Sequence, residues 1–110
     1  MRKDPKIFLK HILNSIATIE EYTKGISEDE FYLNRQIIDA VVRNFEIIGE
    51  ATKNLPKNII TNTPHIPWEK MTGMRNNLIH EYFGVDKQEV WSTAKQDLPS
   101  LKKEIEILLK

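Results

Sequence analysis

The stretch from Ile37 to Ala51 restricts the possible folds of this chain more than any other. Projected at about 100° per residue, Ile37, Ile38, Ala40, Val41, Val42, Phe45, Ile47 and Ile48 fall within an arc of roughly 220°. A surface helix that covers only one side of a core needs an apolar stripe of roughly 100°. A helix this broadly apolar sits at the centre of a bundle, or lies between a core and a partner. Asn44 falls inside the same arc, beside Ile37 and Ala51, where an unpaired amide would be costly. It is either a core amide satisfied by a neighbour or part of a site.

The flanking segments carry helical punctuation. Asp4-Pro5 places an N-cap before a proline at the first helical position. Phe8, Ile12, Ile16 and Ile19 follow at helical spacing, which predicts a helix to about Lys24 that is closed by Gly25. Ser27 and Glu30 have the spacing of a capping box and open a second helix expected to run through about Asn54. Pro56, Pro64 and Pro67 mark a loop with one short helical turn at 57–62, and a third helix spans about Trp68 to Phe83 and ends at Gly84. Asp86 with Glu89 starts a fourth helix to about Lys95. Asp97-Leu98-Pro99 restarts the chain into a last one with Leu101, Ile105, Leu108 and Leu109 inward. The expectation is an all-α single domain over residues 1–110, a bundle of about five helices. No strand pair, repeat or low-complexity tail is evident.

Composition narrows the function. A 110-residue domain buries only part of its apolar surface, so a dimer partner would help. With 40% hydrophobic and 29% charged residues the chain is too apolar to stay disordered. The absence of cysteine removes disulfides, thiolate metal sites and cysteine nucleophiles, and fits a reducing compartment. Lys10, His11 and Asn14 interrupt the apolar character behind the charged N-terminus, so no signal peptide is expected, and no apolar run approaches the ~20 residues of a membrane helix. The expected location is the cytoplasm. Sixteen basic and sixteen acidic residues cancel, which counts against a nucleic-acid binder. Residues 51–80 nevertheless hold Lys53, Lys57, Lys70 and Arg75 against Glu69 alone.

The third helix carries the chemistry. Met71, Met74, Leu78, Ile79, Tyr82 and Phe83 define its apolar arc, and Arg75 lies in the middle of that arc. An arginine so placed either pairs with a carboxylate from another helix or lines a cleft where a ligand supplies the negative charge. His80 lies about 140° from Arg75 but about 40° from Asn76, so Asn76 and His80 share an edge, while Tyr82 lies on the arginine's stripe. Alone, this is a weak motif, since a histidine beside an apolar face is more often packed than catalytic. His11 and His65 have no metal-ligand partner at helical spacing, so solvated or capping roles suit them; Trp68 and Trp91 suit the core or an interface. No Gly-rich phosphate loop, His-Glu metal motif or serine elbow is present.

A longer pattern surrounds the motif. Met74 through Asp86, read as Met-Arg-Asn-Asn-Leu-Ile-His-Glu-Tyr-Phe-Gly-Val-Asp, resembles the signature of the HepT-like HEPN-domain ribonuclease toxins: Arg, four to six residues, His, one residue, Tyr. Arg43 through Ala51 is similar to that family's second-helix segment, Ile66-Pro67-Trp68 to the approach to its third helix, and Asp97-Leu98-Pro99 to the start of its last. The resemblance covers nearly the whole chain in a consistent order. It implies a HEPN-like dimeric fold and a metal-independent endoribonuclease, typically the toxin of a toxin-antitoxin pair. Arg75 and His80 of both copies would face one cleft, and no cofactor is implied. Asn76 would orient His80 or contact phosphate, and Glu46 or Glu50 would hold Arg75. Tyr82 would be the tyrosine that a nucleotidyltransferase-family antitoxin modifies with AMP. The competing reading is a non-enzymatic helical dimer that binds a nucleotidyltransferase-like partner, and zero net charge favours it.

Overall fold

A computed structural model of the chain describes residues 4–79 and 84–110. Among these residues the secondary structure is entirely helical: α1 (Pro5–Thr23), α2 (Glu28–Leu33), α3 (Arg35–Lys53), α4 (Lys57–Asn62), α5 (Trp68–Ile79), α6 (Lys87–Ser92), a π-helical turn (Thr93–Asp97) and α7 (Leu98–Leu108). The chain is a bundle with α3 at its centre, packed against α1 on one side and α5 on the other, while α7 closes against α1.

The local chemistry explains most boundaries. Asp4 accepts a hydrogen bond from the Lys6 amide and Pro5 occupies the first turn of α1, as the sequence predicts. Gly25 follows α1 with φ +77, a conformation that an L side chain resists. At α2, Ser27 accepts from the Glu30 amide and Glu30 accepts from the Ser27 amide, forming the capping box. The Ser27 hydrogen bonds hold the Glu30 carboxyl below its ordinary value.

One expectation about helix continuity is corrected and one is refined. The helix opened at Ser27 does not run through to Asn54, because the chain breaks at Asn34, whose backbone is extended at φ −110 and ψ 92. Asn34 turns its side-chain oxygen onto the Ile37 amide and so caps α3 itself; short polar side chains compete with the helix in this way. Asp97-Leu98-Pro99 does open the last helix, α7, with Pro99 in its first turn, although no break in the helical backbone precedes it. Asp97 makes no cap and its carboxylate pairs with Lys70 of α5 instead. Helical backbone runs on through the π turn, in which the Leu98 amide reaches back to the Thr93 carbonyl. The wider turn gives the Pro99 ring the room that an α-turn denies it, since proline clashes with the carbonyl four residues back.

The core follows the apolar periodicities. Ile12, Ile16 and Ile19 of α1, Val41, Phe45 and Ile48 of α3, Met71 and Met74 of α5, and Leu98, Leu101 and Ile105 of α7 are buried, with Phe31 beneath α2. Trp68 is buried and donates its indole N–H to the Thr63 hydroxyl at 2.8 Å; Trp91 packs on Phe31, with the Lys95 ammonium 5.0 Å from its ring centre. Both tryptophans thus take the packing role expected of them. Thr23, Thr52 and Thr63 each return a hydroxyl to a carbonyl one turn back, and among the described residues no buried side-chain polar atom lacks a partner. No helix is long and apolar enough to cross a membrane among the described residues.

Candidate active site

Arg75 lies where α5 crosses α3, and the crossing is close because position 49 is glycine. A Cβ built on Gly49 would stand 2.2 Å from the Arg75 Cβ, 2.9 Å from its Cγ and 3.0 Å from the Met71 carbonyl oxygen. The arginine stem therefore rests on the bare backbone of α3. From there its guanidinium reaches the Glu50 carboxylate at 3.0 Å and donates to the Asn76 side-chain oxygen at 3.1 Å. Of the two arrangements open to an arginine in an apolar arc, the molecule adopts the first, with a carboxylate from a neighbouring helix as acceptor. The side chain is 22% exposed and that of Glu50 is 55% exposed, so the pair sits at the surface end of the α3–α5 contact.

The other candidates separate by geometry. Glu46 does not reach Arg75; one turn before Glu50, it pairs with Arg43 on its own helix at 3.7 Å. Asn44 donates to the Ala40 carbonyl at 2.8 Å, which satisfies its amide within α3. Asn76 is exposed and its oxygen serves the Arg75 guanidinium. His80 and Tyr82 lie outside the described residues. His65, given a solvated or capping role from sequence, instead meets Glu104 of α7 at 2.8 Å and ties the 63–67 loop to the last helix. Gly49 is the residue that reading the sequence left without a role. A glycine in a helix interior costs ~1 kcal/mol relative to alanine, and that cost was the available sign of a packing purpose.

The pairing can do two things chemically. A guanidinium is charged at all relevant pH and its planar fork matches oxyanions, so Glu50 and Asn76 fix the orientation of a permanent cation. Their pull also competes with any anionic ligand, because a phosphate must share or displace the Glu50 carboxylate.

Comparison with known proteins decides the family. The Ribonuclease HepT-like family model matches residues 12–108. The chain belongs to the HepT-like ribonuclease family. A "Probable ribonuclease HepT" of Thermococcus cleftensis is 44% identical over 110 residues, the full length of both chains. A "Putative RNase" of Methanocaldococcus jannaschii is 48% identical over 109 residues, 99% of this chain and 90% of its own length. A "Gamma-glutamylcyclotransferase and putative RNase" of the same organism is 53% identical over 105 residues, 96% of this chain; this chain spans about half of that longer protein, 47% of its length. No solved structure matches the chain. The HepT-like match includes α3, α5 and the Arg75–Glu50 contact between them.

Proposed function

We propose that this HepT-like chain is a metal-independent endoribonuclease that cuts RNA in a cleft shared by two copies, and that it is the cytoplasmic toxin of a pair whose antitoxin is a nucleotidyltransferase-family protein. The observation that carries the reading is the Arg75 guanidinium, seated on Gly49 and oriented by Glu50 and Asn76, five residues before His80. RNA can be cut without a metal if one group takes the 2′-hydroxyl proton, another protonates the leaving oxygen, and positive charge meets the phosphorane as its charge grows. Imidazole titrates near neutrality and serves either proton role; the guanidinium serves the charge. One chain supplies one His80, and a two-fold dimer supplies two.

The test is RNA cleavage by wild type, His80→Ala and Arg75→Ala, with growth arrest on expression as the cellular readout. Cleavage should fall about 100-fold or more for His80→Ala, the scale of a lost general acid or base. Undiminished cleavage by His80→Ala refutes the assignment. A wild-type chain that cuts no RNA but binds a nucleotidyltransferase-like partner supports the non-enzymatic alternative, which the zero net charge favours.

We further propose that Tyr82 is the off switch. An adenylyl group there, seven residues from Arg75 in sequence, adds bulk and negative charge and opposes RNA phosphate. Co-expression with the partner should raise the intact mass by whole AMP increments in wild type and leave Tyr82→Phe unchanged; an unaltered wild-type mass argues for inhibition by binding alone.

A further inference from the structure

Between α1 and α3, beside the Arg75 site, runs a groove of 290 Å³. Phe8, Ile47 and Ala51 give it an apolar floor, and His11 and Asn54 stand on its rim. Glu50 lines it as well, and the same carboxylate holds the Arg75 guanidinium at 3.0 Å. Whatever fills the groove therefore lies one side chain away from a phosphate bound at Arg75.

The lining selects the kind of occupant. Its two carboxylates are each matched by an arginine, Glu46 by Arg43 and Glu50 by Arg75, so the groove is close to neutral and does not suit a phosphate. A flat, neutral group with a polar edge suits it well. Asn54 spends its amide N–H on the Glu50 carbonyl at 2.9 Å, which orients the side-chain oxygen as an acceptor. His11 has no hydrogen-bond partner among the described residues and is exposed. The volume is at the small end of ligand sites, which begin at about 300 Å³, and is too small for a packed helix. Unstacked RNA bases are recognised by these means, with aromatic or imidazole rings against the base face and amide groups at its edge.

We propose that the α1–α3 groove is a base subsite, seating the nucleobase next to the scissile phosphate, with Phe8 and His11 against its face and Asn54 at its edge. The proposal rests on the ribonuclease reading for the position of the phosphate. It makes His11, Asn54 and Phe8 determinants of where RNA is cut, acting on the choice of site and not on proton transfer.

Two measurements on the full chain test it. In the first, the four nucleoside 5′-monophosphates are titrated while the His11 imidazole is followed by NMR, its signal assigned with His11→Ala. At least one nucleotide should shift the signal, and Phe8→Leu should weaken that binding about fivefold or more, the scale of a lost base–aromatic stack. In the second, cut sites are mapped on an unstructured RNA of mixed sequence. His11→Ala should flatten the preference at one nucleotide beside the cut.

The outcomes separate the two proposals. Binding at His11 without any cleavage by wild type overturns the ribonuclease reading and leaves the groove as a nucleotide-binding site. Cleavage whose preference is unchanged in His11→Ala and Phe8→Leu overturns the subsite and leaves the ribonuclease. A His11 signal that no monophosphate moves also overturns the subsite. So does dissociation of a dimer by Phe8→Leu in sedimentation, which assigns the groove to contact between copies.

Discussion

Replacing Gly49 with alanine puts the close crossing of α3 and α5 to a quantitative test. The added methyl would stand 2.2 Å from the Arg75 Cβ, where ordinary contacts begin at 3.4 Å, more than an ångström short. The clashing atom is the first of the arginine side chain, so no rotation of Arg75 relieves the overlap and the two helices must separate. Overpacking of this kind costs about 1–3 kcal/mol. Against it stands the gain of alanine over glycine in a helix, ~1 kcal/mol. An overlap of more than an ångström between two Cβ atoms puts the cost in the upper part of that range, about 2–3 kcal/mol, so the expected net loss is about 1–2 kcal/mol, a fall in Tm of about 4–10 °C for a domain of this size. Gly73 on α5 is the internal control, because a Cβ there meets nothing within 4 Å. Gly73→Ala should raise stability by about 0.5–1 kcal/mol, and Tm by a few degrees. Both variants are melted beside wild type at one protein concentration, since any self-association would otherwise shift Tm. A Gly49→Ala protein that melts at or above wild type refutes the close-crossing argument, and with it the account of how Arg75 is seated.

Three further outcomes are expected. Thr63→Val keeps the shape of the side chain but strands the buried Trp68 indole N–H, and should cost about 1–3 kcal/mol by denaturant unfolding; a neutral result would mean that water reaches the indole. A double-mutant cycle on Glu50→Ala and Arg75→Ala should give a coupling no larger than about 1 kcal/mol, because Glu50 is more than half exposed; a value well above that would place the pair in a far drier setting. Glu30 titrates below its ordinary value of 4.5 through its bonds to Ser27, so the capping box contributes fully above that value and is lost as pH falls through the lower, folded-state pKa. Ser27→Ala should move the Glu30 titration back up toward 4.5 by NMR, and an unmoved titration would mean the box does not form in solution.

Much of the bundle was legible because its signals are local. The Asp4-Pro5 start, the Ser27/Glu30 box, the turn at Gly25 and the Asp86 cap each depend on residues within one helical turn of one another, and each is present. The 3.6-residue repeats of Ile12-Ile16-Ile19 and Val41-Phe45-Ile48 likewise report which faces are buried. The breaks were harder to see. Asn34 interrupts a strongly periodic segment by capping the next helix, which the hydrophobic pattern alone does not register. Asp97 and Pro99 do mark the start of α7, but Lys70, 27 residues away, takes the carboxylate that would have capped it, and a π turn joins it to α6 without a break.

The Arg75 site divides the same way. From the sequence alone it follows that an arginine stands in the apolar arc of its helix and must find an anion, because burying an unpaired guanidinium is prohibitive. Which anion it finds depends on how two helices cross. Glu46 and Glu50 are one turn apart on the same helix and equally plausible from sequence, yet only Glu50 is level with Arg75. That level is set by Gly49, whose missing side chain lets α5 approach α3 at that one turn. A charge requirement can be read along one helix. The partner that meets it depends on a distance between two helices, and that exists only once the bundle has packed.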